Sequence, residues 1–372
     1  MIFGTLAAGD LVMIPRNVHR SVISGLILSG AVPIFLPIEF DAEFNLPLNV
    51  SVTTIERAIK KFPQARAILL VSPNYYGVAA DLEKISALAH EAGMILLVDE
   101  AHGAHLQFSA ELPLSAMDSG ADLAAQSTHK LLGALTQCSM LMLRKKFAEH
   151  VKVAASLLQT TSPNQILLAS LDIARLQMEV DGREKVSRAV ELSKKLRGEL
   201  NLRGFKVFNS DDVTKLTVNV AALGLSGYEA EKILRNELKV QCELSDAANL
   251  LFLITYADDA ETISKLVDAL VKIERLRDHK IKSLSQVGLS EEISLATLSP
   301  RETFYSPVEV VPIKKSIGRI CAEEVTFYPP GIPLLMPGEK ISAQVVELIG
   351  QSVGKVFGAA DKTLSTIKVV AE

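Results

Sequence analysis

Two polar clusters hold the residues of this sequence that could do chemistry, and each follows a mostly apolar stretch. Asp99-Glu-Ala-His-Gly-Ala-His105 follows Ile95–Val98, and Gln126-Ser-Thr-His-Lys130 follows Ala121–Ala125. Both stretches have the length and composition of buried strands. In a parallel sheet, ligands bind at the carboxyl ends of the strands. The two clusters are therefore the places where a site is expected.

The first cluster has several interpretations. His102 and His105 could bind a metal, but their spacing is not that of a helical zinc pair, and we expect no metal. The string Asp-Glu-Ala-His also matches a helicase box, which needs a phosphate loop that this sequence lacks. Asp99 could instead cap the turn after its strand, or it could hold a heterocyclic nitrogen protonated. The cluster alone leaves these last two open.

Lys130 decides between them. A lysine after a strand is usually solvated, but the mostly apolar Leu131–Leu135 follows this one, which is unusual for a surface lysine. An aspartate at one strand end and a lysine at a later one fit the chemistry of pyridoxal 5'-phosphate (PLP). The lysine forms a Schiff base with the cofactor aldehyde, and the aspartate pairs with the pyridinium nitrogen. We therefore predict a PLP site on Lys130 and Asp99.

The elements that must position these residues are strands alternating with helices from residue 11 to about 145. This pattern predicts an α/β fold with a mostly parallel sheet. The best-defined helix is predicted over Asp81–Ala92, with Asp81 as its N-cap and Gly93 ending it. The predicted strands are Leu11–Ile14, Val32–Leu36, Ala67–Val71, Met94–Val98 and Ala121–Ala125.

The rest of the chain predicts two further units. Long helices are expected over 165–203, then an α+β pattern with strands at Lys215–Ala221 and Leu250–Thr255, and finally a segment rich in Pro and Gly. The predicted domains are 1–165 (a large PLP-binding domain), 166–280 (linking helices and a small α+β domain) and 281–372 (a C-terminal domain).

Composition excludes several classes of function. The formal charge of −4 gives no basic footprint for nucleic acid. Cys138, Cys242 and Cys321 lie far apart, which argues against disulfides and zinc and favours a reducing cytosol. No apolar run approaches the length of a membrane span, and the N-terminus lacks a signal-peptide pattern. A cytoplasmic protein without nucleic-acid or membrane partners is expected.

Six motifs, in order along the chain, resemble those of the fold-type-I, PLP-dependent ornithine/lysine/arginine decarboxylases. Each motif is modest alone, but six in register are highly specific, and they cover nearly the whole chain. The short form, without an N-terminal wing domain, looks most like the Gram-positive and cyanobacterial branch. Besides the two clusters above, the motifs are Pro15–Ser21, Val71–Gly77, Gly318–Glu323 and Tyr328–Glu339.

The resemblance implies roles around the cofactor ring. Lys130 would carry the cofactor. Asp99 would bond the pyridine nitrogen, and the charge there would hold the pKa of Asp99 low. His19 would stack on one ring face, although it could also be a polar residue that begins a helix. Ala101 would pack against the other face, where a larger side chain would intrude.

The remaining residues of the implied site lie around this ring. Ser127 would contact the cofactor phosphate, and His129 would lie beside the ring or the phosphate. His102 and His105 would line the site, with His102 contacting the substrate, and either could equally be a structural histidine.

Two further implied residues point to partners. Thr161 would reach the phosphate of a neighbouring subunit, which makes a homodimer with shared active sites expected, although Thr161 could instead belong to a helix N-cap cluster. Glu243 would bind the distal cationic group of a basic amino acid, or it could be an ordinary charged residue before a strand. The implied reaction converts arginine, lysine or ornithine to agmatine or a diamine plus CO₂.

The sequence departs from the family at its start. Family members usually carry a further segment before the position of Met1, which includes the loop and helix N-terminus that cradle the cofactor phosphate. The large domain is therefore expected to be truncated at its N-terminus and to bind PLP weakly. Two alternatives remain: another fold-type-I enzyme, such as an aminotransferase or a lyase, and a non-catalytic paralogue.

Overall fold

The computed structural model describes residues 1–275, 292–328, 332–351 and 355–372. The predicted domain boundary after residue 280 and part of the Tyr328–Glu339 motif lie outside the described residues.

The first part of the chain is built around a sheet buried on both faces. Its strands are β1 (Leu11–Pro15), β2 (Val32–Leu36), β5 (Ala67–Val71), β6 (Ile95–Asp99), β7 (Leu123–Gln126) and β8 (Met140–Leu143), with a hairpin of β3 (Phe40–Asp41) and β4 (Leu46–Pro47) beside it. The order is β2-β1-β5-β6-β7-β8, and every strand but β8 runs parallel. The predicted strands Val32–Leu36 and Ala67–Val71 are confirmed.

Helices cover both faces of this sheet. Met13 packs in one apolar cluster, whereas its neighbours Val12 and Ile14 pack in the other, because side chains alternate along a strand. The Asp81 carboxylate accepts a hydrogen bond from Lys84 N, which confirms the predicted N-cap. The helices are α1 (Arg20–Ser29), α2 (Val52–Lys61), α3 (Leu82–Glu91), α4 (Thr128–Leu131) and α5 (Ala148–Leu158).

One long helix, α6 (Gln165–Leu202), replaces the several helices expected over 165–203. Charged residues lie in the middle of this helix. They stabilise it through ion pairs one turn apart, such as Lys185 with Asp181. A small antiparallel sheet follows. Its elements are β9 (Lys206–Val207), β10 (Lys215–Asn219), α7 (Gly227–Asn236), β11 (Leu244–Ser245), β12 (Asn249–Leu253) and α8 (Ala260–Arg275), with strand order β11-β12-β10-β9.

The C-terminal part is not separate from the large sheet. Strand β13 (Ser294–Leu295) pairs antiparallel with β2 and becomes the seventh strand. The remaining strands form a two-stranded and a three-stranded sheet around a further apolar cluster. The elements are α9 (Pro300–Tyr305), β14 (Val308–Pro312), β15 (Val325–Tyr328), β16 (Ile332–Leu335), α10 (Ala343–Gln351), β17 (Lys355–Phe357) and β18 (Thr366–Val370).

Candidate active site

The two polar clusters meet at the carboxyl ends of adjacent parallel strands. Asp99 is the last residue of β6, and its register partner on β7 is Ala125. The chain leaves β7 and turns at once into α4, which carries Lys130. Asp99 and Lys130 interact electrostatically. Burial lowers the pKa of the Lys130 amine, and the Asp99 carboxylate acts against that shift. The sheet therefore delivers an acid and an amine to one place.

The Lys130 amine lies in a pocket of rings. Its Nζ is 2.9 Å from His102 Nε2 and 5.3 Å from the centroid of the Tyr75 ring. The Tyr75 and His102 rings lie 4.2 Å apart, tilted by 52°. Burial lowers the pKa of Lys130, and so does the positive charge of Lys215. Burial also holds the pKa of His102 well below its usual value, so this histidine is neutral.

Asp99 Oδ1 accepts a hydrogen bond from Ala101 N at 3.2 Å. Burial raises its pKa, while His19 and Lys130 act in the opposite direction. The low pKa expected for Asp99 depends on a cofactor cation, and in the protein alone burial outweighs the two positive neighbours. His19 is exposed at the N-cap of α1, where its Nδ1 accepts from Ser21 N at 3.2 Å. It thus begins a helix and also lies within electrostatic range of Asp99.

The other predicted site residues differ in how exposed they are and in what they contact. Ser127 is half-buried at the start of α4, and His129 Nδ1 lies 2.7 Å from the carbonyl oxygen of Cys138. Glu243 is exposed. Its charge acts against the lowering of the Lys130 pKa by burial, so the part of the chain that carries Glu243 also faces the site. Thr161 is exposed between α5 and α6, and no described contact within this chain joins it to Lys130.

Sequence reasoning missed the residues behind the site. Lys215 and Asp212 are fully buried, and the Asp212 Oδ2 atom lies 3.1 Å from His105 Nε2. His105 therefore faces Asp212 rather than Lys130. The signal that could have found this pair is a lysine at the start of an apolar strand with an aspartate three residues before it.

The described ranges contain neither a cluster of metal ligands nor a membrane-spanning helix. There, no three His, Cys, Asp or Glu side chains come together as a metal site, and Cys138, Cys242 and Cys321 are buried and free. None of the described helices is long and apolar enough to cross a membrane.

The fold and the paired acid and amine define an α/β enzyme of the fold-type-I class. A model of the Orn/Lys/Arg decarboxylase major domain matches residues 1–222, and a model of the C-terminal domain of that family matches residues 289–351. The chain belongs to the Orn/Lys/Arg decarboxylase family, which confirms the resemblance predicted from its motifs.

Relatives and solved structures agree with this assignment. The chain is 40% identical to the arginine decarboxylase of Bacillus subtilis, over all of this chain and 79% of the relative. It is 38% identical to the arginine decarboxylase of Bacillus anthracis, with the same coverage. The structure of the constitutive lysine decarboxylase of Escherichia coli superposes with a TM-score of 0.81 at 19% identity, covering 100% of this chain and 68% of the other. This last likeness shows the shared fold alone.

Proposed function

We propose that this chain is a cytoplasmic, PLP-dependent decarboxylase of a basic amino acid, with arginine ahead of lysine and ornithine. The observation that carries the proposal is the arrangement of Asp99 at the end of β6 and Lys130 on α4, directly after the neighbouring strand β7, with the Lys130 amine held 2.9 Å from His102 Nε2. Arginine comes first because relatives about 40% identical carry the name arginine decarboxylase. Three free, buried cysteines support a reducing compartment.

The residues present fit PLP by the chemistry of their side chains. Lys130 offers an amine for the aldehyde, and Asp99 offers a carboxylate for the pyridine nitrogen. Among the described residues the carboxylate accepts one hydrogen bond, from Ala101 N, so it has acceptor capacity to spare. His19 and Ala101 would cover the two ring faces, Ser127 would bind the phosphate, and His129 would lie beside it. When bound, PLP supplies a conjugated ring that accepts the electrons released as CO₂ leaves.

The chain's own residues would then position the substrate and move protons. Asp99 would keep the pyridine nitrogen protonated, because a carboxylate stabilises an adjacent cation in a buried site. Lys130 would return a proton to Cα from its Nζ, and His102 would hold that Nζ in place. Glu243, on the facing domain, would bind the distal cation of the substrate, which selects basic amino acids.

A homodimer with shared active sites is part of this proposal. Thr161 lies between α5 and α6, and both helices expose large apolar side chains, which is uncommon on a monomer's surface. A second copy covering this surface would bring Thr161 to the neighbouring phosphate. The exposed apolar side chains are Val153, Leu157, Leu158, Ile166, Leu168, Ile173, Leu176 and Val180.

The test is incubation with PLP and with arginine, lysine or ornithine in turn, followed by identification of the products. We expect agmatine or a diamine with CO₂; release of a keto acid would instead indicate an aminotransferase. Lys130→Ala should abolish both turnover and the visible absorbance of lysine-bound PLP. Lys232→Ala, which removes an exposed lysine on α7, should leave both unchanged. Turnover by Lys130→Ala at the wild-type rate would exclude the proposal.

A further inference from the structure

Lys215 is a charged residue that the proposed chemistry does not use. It begins β10, its side chain is 0% exposed, and its Nζ has no hydrogen-bond acceptor among the described residues. The nearest carboxylate oxygen is Asp212 Oδ2, at 3.4 Å. Burial of an ammonium without a hydrogen bond is unfavourable, so its position needs a reason.

The carboxylate beside Lys215 is fixed and ionised. Asp212 Oδ1 accepts hydrogen bonds from the Thr214 hydroxyl at 2.6 Å and from Thr214 N at 3.0 Å. His105 and Lys215 hold the pKa of Asp212 well below its usual value. Arg197 donates to the backbone carbonyl of Lys215 and so anchors the start of the strand. The pair is therefore held in place from both sides.

Lys215 packs against the loop that carries Tyr75, one of the rings around Lys130. Gly77 lies so close that a Cβ atom there would be 2.8 Å from Lys215 Cγ, and Asp212 N donates to the Gly77 carbonyl at 2.9 Å. Gly77 is two residues after Tyr75, whose ring contacts His102. The stem of Lys215 thus supports the loop that carries Tyr75.

The positive charge of Lys215 acts on the site. Burial is the main cause of the lowered pKa of Lys130 and of His102, and the charge of Lys215 adds to it, whereas Glu243 acts on Lys130 in the opposite direction. Burial also lowers the pKa of Lys215 itself, and the Asp212 carboxylate acts against that shift. The charged and titratable groups that face this region are Asp99, His102, His105, Lys130, Arg197, Asp212 and Glu243.

We propose that Lys215 is a positioning residue: its fully buried side chain packs against Gly77, behind the loop that carries Tyr75, and its ammonium sets the electrostatic surroundings in which the Lys130 amine reacts. This inference rests on the proposed function, in which the Lys130 amine must be unprotonated to attack an aldehyde. Direct binding of the substrate carboxylate by Lys215 fits less well. Its ammonium is fully buried, and an ion pair to the departing carboxylate would stabilise the ground state more than the transition state.

The experiment measures the amine itself, without cofactor or turnover. The cofactor-free protein is labelled briefly with acetic anhydride across a range of pH, and acetylation of Lys130 is quantified by mass spectrometry. The main variant is Lys215→Met with Asp212→Asn, which removes both charges of the pair and leaves no buried carboxylate without its cation. We expect its labelling of Lys130 to be about threefold lower near neutral pH, because loss of the Lys215 charge raises the pKa of Lys130 and leaves less free amine.

Glu243→Gln is a matched variant that should change the labelling of Lys130 in the opposite direction. It removes a negative charge that acts on Lys130, so labelling should rise where the double variant lowers it. The exposed Lys232 serves as an internal control in the same digests and should be labelled equally in all three proteins. If the double variant labels Lys130 as wild type does while Glu243→Gln changes it, the role of Lys215 is excluded. Failure of the proposed function would show separately, as absent turnover with PLP.

Discussion

Two buried ion pairs of this molecule differ in their geometry. Arg16, just after β1, donates from both terminal nitrogens to Glu339, at 2.9 and 2.5 Å, and Glu339 also accepts from Met336 N. Asp212 and Lys215 are more deeply buried, yet their charged atoms lie 3.4 Å apart and the ammonium lacks a hydrogen bond within the described ranges. The first pair joins the large domain to the C-terminal part, and the second lies behind the site.

The difference in geometry indicates that the two ion pairs have different roles. A bidentate pair of buried groups satisfies its own desolvation and fixes one geometry between distant segments. The Asp212–Lys215 pair is not bidentate, and the charge of Lys215 acts together with burial to lower the pKa of His102 and of Lys130. We infer that Arg16 and Glu339 serve the architecture, whereas Lys215 serves the chemistry.

The largest expected effect comes from breaking the architectural pair. Glu339→Ala leaves the Arg16 guanidinium buried without its partner, which should lower the free energy of unfolding by about 3–5 kcal/mol. Glu199→Ala removes the carboxylate of an exposed pair on α6 and should cost less than about 1 kcal/mol. Urea unfolding of both variants checks this. A cost for Glu339→Ala no greater than that of the control would show that the Arg16 pair does not hold the parts together.

Removing Lys215 should cost less than removing Glu339. In Lys215→Met the Asp212 carboxylate keeps Thr214 and His105, so we expect a loss of about 2–3 kcal/mol. Adding Asp212→Asn should recover part of this loss, because no unpaired charge then remains. Urea unfolding of the single and double variants gives the comparison. A single variant as unstable as Glu339→Ala would make the second pair architectural as well.

The sequence predicted those residues of the candidate site that directly follow the end of a strand. Asp99 and Lys130 stand directly after apolar runs, and two strands, Val32–Leu36 and Ala67–Val71, have the predicted bounds. These signals are local, since an apolar run and the polar residue after it are neighbours in the chain. The domain boundaries and the roles of the site residues stay predictions.

Neither ion pair was predicted. Arg16 and Glu339 are 323 residues apart, so no spacing connects them. Lys215 opens an apolar strand, where a lysine ordinarily indicates a strand end in solvent. Its burial follows from tertiary contacts with Gly77 and Asp212, which only the folded chain brings together.

Glu100 extends the comparison to a buried carboxylate that is held by neutral groups. It accepts from Ala116 N at 2.6 Å and from Gln126 Nε2 at 2.7 Å, and burial raises its pKa to about 7. Since the folded pKa exceeds the unfolded one, the contribution of Glu100 to stability is fully present below about pH 4.5 and is lost as the pH rises through about 7.

Glu100→Gln should therefore become more stable relative to wild type as the pH rises. The gain should reach about 2 kcal/mol between about pH 5 and pH 8, and Gln126 can turn its amide to offer an oxygen to the new side chain. Urea unfolding of both proteins at several pH values gives the difference, in which other titrating groups cancel. A difference that stays constant with pH would mean that Glu100 does not titrate in this range.

The smallest expected effect tests the contact that places Lys215. Gly77 has φ +81°, and a Cβ there would lie 2.8 Å from Lys215 Cγ and 2.9 Å from the Asp212 carbonyl. Gly93 has φ +70° with open space around it, so Gly93→Ala carries the backbone strain alone. Gly77→Ala should lower the free energy of unfolding by about 1 kcal/mol more than Gly93→Ala does, because Lys215 must shift. It should also change the labelling of Lys130, which Gly93→Ala should leave unchanged. Equal costs and equal labelling in the two variants would mean that Lys215 does not depend on its packing against Gly77.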